Sequence, residues 1–217
     1  MGVLINQNQE IQKSMEFISG QYEELLLKVG NLEHENVEYR KRVANLEGKL
    51  EVLERKTISS TIEIRNIPKQ NNENKQILTD IVKNVGTALS LDMPIMDQEV
   101  RDIYRSKSEA IVIDFTSTNR KESLLTSFRY YNKSCRTNKK PQLNTQNINL
   151  PGMPRAVFVS EFLTNKARRL YYIARENVKN KKLLAAWTSF GKVYIKKEEN
   201  QRPIRVENEV DISQIIL

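Results

Sequence analysis

Apolar residues recur along the first quarter of the chain at a spacing of seven. Leu4, Ile11, Ile18, Leu25, Leu32, Tyr39, Leu46 and Leu53 form one series; Met15, Tyr22, Val29, Asn36, Val43 and Leu50, four residues on, form a second. These are the d and a positions of a heptad repeat, and a lone helix cannot bury such a seam, so the pattern predicts a coiled coil between copies of the chain. In a parallel, in-register coil each g residue meets the e residue five positions on. Those pairs read Lys28–Glu33, Glu35–Arg40, Arg42–Glu47 and Lys49–Glu54, all opposite in sign. The expected partner is therefore the chain itself, in parallel, with Leu25, Val29, Leu32, Asn36, Tyr39, Val43, Leu46, Leu50 and Leu53 in the interface. Residues 4–57 at 1.5 Å per residue give a rod of ~80 Å.

After residue 57 the period changes. Thr61–Ile67 alternates, is rich in β-branched residues and stops at Pro68, which predicts a first strand. Ile77, Ile81, Val85 and Leu89 lie four apart, the mark of a helix over 73–89. Residues 100–105 and 110–115 read as two more strands, and 119–131 as a second helix with Leu124, Leu125 and Phe128 inward. The order β-α-β-β-α is that of a ferredoxin-like domain, the fold of the RNA-recognition motif, with a fourth strand not evident. A polar stretch from 132 to 155 carries Lys133, Arg136, Lys139 and Lys140 and reads as a long functional loop or linker. A second small unit is expected from Ala156: a strand over 156–162, a helix capped by Thr164 and running to Lys179, a hairpin turning at Phe190-Gly191, a strand at 204–206 and a short terminal helix capped by Asp211. The predicted class is α+β in three parts: an oligomerisation helix over 1–57, a recognition-motif-like domain over 58–150 and a small basic domain over 151–217.

Charge follows the same division. Residues 1–57 hold 8 Lys/Arg and 10 Asp/Glu, whereas 118–202 hold 19 against 5, a net of +14. Such a concentration calls for a polyanion, most often nucleic acid, with an anionic membrane surface or an acidic protein meeting the same electrostatics. His34 at an outward f position and Cys135 in a polar stretch are the only residues of their kinds. With no second imidazole or thiol, zinc cages, disulfides and most nucleophilic triads are excluded, no cofactor is expected, and the thiol suits a reducing compartment. Asp97, Glu99 and Asp102 are the nearest thing to a magnesium site, but scattered acids in a turn and strand read as solvated charges, so no enzyme is expected. Neither a long apolar run nor a charged leader with an apolar core is present, which predicts an intracellular, cytoplasmic or nuclear protein without a membrane partner.

Within the expected C-terminal helix, Ala167, Leu170, Tyr171, Ala174 and Val178 form an inward stripe, leaving Arg168, Tyr172, Arg175 and Lys179 outward at spacings of four, three and four. In the hairpin, Val193 and Ile195 point one way while Lys192, Tyr194 and Lys196 point the other. Cations interleaved with tyrosines suit single-stranded nucleic acid, phosphates meeting the charge and bases stacking on the rings. These residues, with Arg169, Lys139 and Lys140, are the candidate nucleic-acid contacts. On the first domain, inward packing of Ile62, Ile64, Ile111, Ile113 and Phe115 leaves Glu63, Arg65, Val112 and Asp114 on the outer sheet face, where a recognition motif places stacking aromatics. Binding is therefore expected in the cleft between the two small units, without sequence-selective readout.

TIEIRNIP at 61–68, directly after a coiled coil, VSEFLTNKARRLYYIAR at 159–175 and WTSFGKVYIKK at 187–197 resemble the baculovirus few-polyhedra protein and its insect relatives. The arrangement is also similar to the first-open-reading-frame proteins of LINE-type retrotransposons. The resemblance implies an oligomer that binds nucleic acid, either a chaperone coating single-stranded RNA or a viral protein tied to nucleocapsid and occlusion-body biology. It also implies that Arg168, Arg169, Arg175, Lys192 and Lys196 contact phosphate. Partners in a viral or ribonucleoprotein particle, or an adaptor role in which the basic surface meets acidic proteins, are consistent with the same features. Strand number is read two ways. Val29 and Val43 at a, leucine at d and a buried Asn36 favour a dimer. The run Arg42-Val43-x-x-Leu46-Glu47 resembles a trimer-favouring pattern, and the LINE-type proteins are trimers.

Replacing Leu32 and Leu46 with Pro removes core contacts and backbone bonds together, and is expected to leave monomers. Sedimentation at tens of micromolar decides this; a wild-type chain that is itself monomeric there contradicts the heptad reading.

Overall fold

The computed structural model describes residues 2–216, without the side chains of Val3 and Leu4, so the Leu4 position of the seam lies outside the described residues. The protein is α+β and forms two compact units, residues 1–50 and 51–217. Residues 2–50 of the first are helix, part of a single 56-residue helix α1 (Gly2–Thr57). Its seam faces solvent in one chain: Leu25, Leu32, Tyr39, Leu46 and Leu50 are all more than half exposed, and Val29 nearly so. Lys28 pairs within its own helix with Glu24 and Lys41 with Glu38.

The last two turns of α1 belong to the second unit, not to the rod as the boundary at 57 implies. Glu51 and Arg55 pair at 3.2 Å and are mostly buried. The hydroxyl of Thr164, more than a hundred residues on, donates to Glu51 Oε1 at 2.8 Å.

Within the second unit, β1 (Thr61–Arg65), β2 (Val100–Arg105), β3 (Ile111–Phe115) and β4 (Phe158–Glu161) form an antiparallel sheet in the order β2-β3-β1-β4. Helices α2 (Lys75–Ala88) and α3 (Thr118–Thr137) are capped by the side chains of Asn74 and Ser117, which accept from Ile77 N and Arg120 N. Ile62, Ile64, Ile103, Ile113 and Phe115 of the sheet bury against Ile81, Val82, Val85, Leu124 and Leu125 of the helices.

Two expectations are corrected by this core. Residues 156–162, expected to open the C-terminal unit, supply the missing fourth strand: Ile62 faces Glu161 and Ile64 faces Val159 across the β1–β4 pair. The alternating pattern identifies a strand but carries no information about which neighbour completes it. The stretch 132–155, expected as an open loop, is pinned instead. α3 continues to Thr137; beyond it Leu143, Ile148 and Leu150 are buried in the first core, and Thr145 N donates to Arg155 O at 2.9 Å. Three apolar residues spaced among polar ones are too sparse for a periodic signal, yet they suffice to anchor an irregular segment. Cys135 is likewise buried.

The three acids considered for magnesium each face a cation of their own. Glu99 is gripped by Arg120 Nε and Nη2, while Lys75 pairs with Asp102 and Lys83 with Asp97. Arg105 holds Glu73 in a bidentate pair at 2.6 Å and donates to the carbonyls of Ile67 and Glu109, fastening the loop after β1 to the end of β2.

The rest of the second unit is smaller. Helix α4 (Asn165–Lys179), capped by Thr164 as expected, lies on a sheet β5 (Ala185–Ser189), β6 (Lys192–Lys196), β7 (Ile204–Val206), followed by α5 (Glu209–Ile216). Its own core joins Ala167, Leu170 and Ala174 to Val193, Ile195, Val206 and Ile212. Asn208 rather than Asp211 caps α5. Asn208 Oδ1 accepts from Asp211 N, and Asp211 Oδ2 accepts in return from Glu207 N at 2.7 Å and from Asn208 N; these amide hydrogen bonds, that of Glu207 foremost, hold the Asp211 carboxyl below its ordinary pKa.

A buried ion pair joins the two cores. Lys121 Nζ on α3 lies 3.0 Å from Glu161 Oε1 at the end of β4, both side chains almost wholly buried. Lys121 also donates to Ser59 O at 3.0 Å, and Glu161 Oε2 accepts from Gly191 N in the β5–β6 turn. That turn has positive φ at both Phe190 and Gly191, the type I′ geometry of a two-residue hairpin. Gly191 is required there twice over, because a Cβ would also stand 2.9 Å from the Arg55 stem.

Glu161→Leu is expected to cost ~3–5 kcal/mol by taking the nearest carboxylate from a buried ammonium that keeps only the Ser59 carbonyl and Glu122 at 3.6 Å, whereas adding Lys121→Met recovers most of the loss. Urea unfolding of the two variants checks this, and equal stabilities would show that the charges are not coupled. The Glu73 carboxyl is held below its ordinary value of 4.5 by its hydrogen bond to Arg105. Its contribution is thus present above pH 4.5 and disappears as pH falls through the lowered folded value. The gap in melting temperature between wild type and Glu73→Gln is expected to close in that acid window.

Candidate nucleic-acid interface

A groove of about 880 Å³ runs between the outer face of the first sheet and α4. Its floor comes from β1 and β4, where alternation turns Glu63, Arg65 and Ser160 away from the helices. Ser160 Oγ donates to Glu63 Oε1 at 3.2 Å and accepts from Arg65 Nη2 at 3.3 Å. The opposite wall is the polar side of α4: Arg168, Tyr171, Tyr172, Arg175 and Lys179 line it, with Thr188 of β5 at the margin.

The stripe read from the sequence is therefore assembled on one wall. Arg168 is half exposed, leans over the Phe162 ring at 5.4 Å and approaches Glu63 at 3.8 Å, so part of its charge is spent within the protein. Arg175 lies over Tyr171 at 5.8 Å. Tyr172 presents 66 % of its surface to solvent, far more than a side chain recruited to the core. Among the described residues neither Arg175 nor Lys179 pairs with a carboxylate, so no ion pair within the protein competes with an anion for either.

Other candidates lie elsewhere. Arg169, one position and thus about 100° around the helix from Arg168, pairs with Glu209 of α5 and does not line the groove. Lys139 and Lys140 sit exposed in the turn after α3, also away from it. Val193 and Ile195 bury against α4, so Lys192, Tyr194 and Lys196 occupy the face of the small sheet turned away from the helix. The stripe of α4 and the stripe of the hairpin thus look in different directions.

The first sheet displays side chains other than those its pattern predicts. Val112, expected on show, is fully buried, whereas Tyr104 and Phe158 are each a little under half exposed. Tyr104 faces Val112, and Phe158 faces Arg65, across their strand pairs. Both rings come from the edge strands, and the alternation of each short strand was the signal that could have found them. Asp114 is occupied by Arg101 and by the hydroxyls of Ser60 and Thr61.

Residues 164–216 match the family model described as Baculovirus FP protein domain 2. The match begins at the N-cap of α4 and ends with α5, so it covers the small C-terminal sheet and its two helices. It supports the few-polyhedra resemblance over those residues. No curated protein matches the chain. Among the described residues no helix is long and apolar enough to cross a membrane, and no group of His, Cys, Asp and Glu converges as metal ligands would.

Proposed function

We propose that the protein is a non-enzymatic homo-oligomer that binds single-stranded nucleic acid, in the manner of an RNA-coating chaperone. The observation that carries this reading is the groove wall of α4, where Arg168, Arg175 and Lys179 flank an exposed Tyr172 above a polar sheet face. Cations there neutralise phosphates and release counterions; a ring with a free face accepts a base of any identity. The groove floor has ionic residues on the central strand β1 instead of the rings with which a recognition motif stacks bases, which favours binding without sequence preference. The strand order β2-β3-β1-β4 with two helices on one face supports the recognition-motif-like assignment, and the order of parts supports kinship in design with LINE-type proteins.

The exposed seam of α1 supports the oligomeric half of the proposal, since a row of leucines and valines open to water along a helix of 56 residues has burial still to gain. Several arms on one rod multiply weak contacts into avidity: a long strand stays held while each single contact exchanges quickly. That combination suits annealing and strand exchange.

Changing Arg168 and Arg175 to Ala is expected to weaken binding to single-stranded RNA of any sequence. It should also flatten the slope of log affinity against log salt by about 0.7 per lost contact. Tyr172→Ala should cost ~1–3 kcal/mol per stacked base with the slope unchanged. Filter binding across a salt series separates the two signatures. Wild-type protein that shows no salt-sensitive binding to RNA or DNA single strands refutes the proposal in favour of an adaptor whose basic surface meets acidic proteins.

A further inference from the structure

The small sheet has a face that the groove does not use. Across β5 and β6, Trp187 pairs with Tyr194, and their rings stack with centroids 6.0 Å apart and planes 15° from parallel. The pair lies on the side away from α4, since the alternate residues Val193 and Ile195 are the ones buried against that helix. Tyr194 is bordered along its own strand by Lys192 and Lys196, about 13 Å apart by strand geometry, and across β7 by Arg205. Arg205 is paired with Glu207, but among the described residues neither lysine has a carboxylate partner. Facing them on β5 are Ser189 and Ala185, side chains too small to cover the rings.

We infer that this platform is a second single-strand binding surface, distinct from the groove, so that each globular arm holds two segments of polynucleotide facing apart. The occupant follows from the chemistry of the face. Two aromatic rings already parallel to one another offer a stacking surface of the kind a base extends, and unpaired ammonium groups on either side meet the phosphates flanking that base. An acidic peptide would use the lysines but leave the rings uncovered; an apolar partner would bury the lysines without compensation. A chain with two such surfaces brings two strands together within one arm, before its oligomeric state adds any more. The inference rests on the proposed single-strand binding and adds to it a stoichiometry and a location.

Trp187 is the only tryptophan of the chain, so its fluorescence reports this surface alone. The experiment titrates full-length protein with eight-nucleotide oligo(U) and, in parallel, oligo(dT), following tryptophan emission and the anisotropy of labelled oligonucleotide. Wild type is expected to take two oligonucleotides per chain, with emission quenched as the platform fills. The groove variant Arg168→Ala/Arg175→Ala should lose one site and keep the quenching. Lys192→Gln/Lys196→Gln, outside both cores and tolerant of a neutral side chain, should lose the other site together with the quenching, and flatten its salt slope by about 1.4, or 0.7 for each of two contacts. Tyr194→Ala should weaken the quenching site about 5- to 150-fold. One oligonucleotide per chain with emission unchanged overturns the platform while leaving the groove reading intact, as does quenching that vanishes in the groove variant. No binding of either oligonucleotide overturns both.

Discussion

Lys121 and Glu161 are opposite charges withdrawn from water at the point where α3, β4 and the β5–β6 hairpin meet. Neither is tolerable there alone, because an isolated buried charge forfeits hydration that nothing else replaces. Each also has further duties. The ammonium takes the Ser59 carbonyl at the end of α1, and the carboxylate takes the Gly191 amide. The pair therefore sets where the hairpin turn sits, and through the hairpin where β5 and α4 stand over the first sheet. The width of the groove is a consequence of that placement.

Around this junction the chain uses specific polar contacts where apolar packing alone would allow sliding. Glu51 accepts the hydroxyl of Thr164 while the same hydroxyl oxygen accepts from Ala167 N, so the last turns of α1 and the start of α4, both within the second unit, share one cap. The Arg55 stem covers Gly191. Hydrophobic burial is non-directional and would bring the small sheet to the larger one in several poses; hydrogen-bonded charges admit one. Geometry of this kind matters in a binding protein, since a groove wall displaced by a turn of helix would no longer oppose Arg175 and Tyr172 to the sheet.

The positive charge of the second unit is spent unevenly. Arg105 and Arg120 are structural clamps, Arg169 is held by Glu209, and Arg168 is partly drawn to Glu63. What remains without a carboxylate, among the described residues, includes Arg175 and Lys179 at the groove and Lys192 and Lys196 on the platform. A net charge is thus a poor guide to a binding surface; unpaired cations beside rings that keep a solvent-facing surface, exposed at Tyr172 and half-buried at Trp187 and Tyr194, are a better one. The Baculovirus FP protein domain 2 match spans both the α4 wall and the hairpin platform, so both surfaces lie within the matched segment.

The sequence alone determined the elements whose signal is periodic and local: the heptad helix, the strands read at 61–67, 100–105 and 110–115, the cap at Thr164, the hairpin turn at Phe190-Gly191, and the outward stripe of α4. Each depends on neighbours within a few positions, and steric preference or amphipathic spacing writes such signals directly into the residues. Tertiary structure decided everything that depends on partners far apart in the chain. Strand 158–161 looks the same whether it opens one domain or closes another; only pairing with β1 assigns it. Leu143 and Ile148 acquire a core, Lys121 acquires Glu161 across 40 residues, and Arg169 acquires Glu209 across the same interval, none of which leaves a local trace. The separation of the two candidate surfaces belongs to the same class. Alternation in the hairpin and the stripe on the helix were each legible, but the packing of Val193 and Ile195 onto Leu170 and Ala174 turned them apart, because burying one face of a thin sheet obliges the other to point the opposite way.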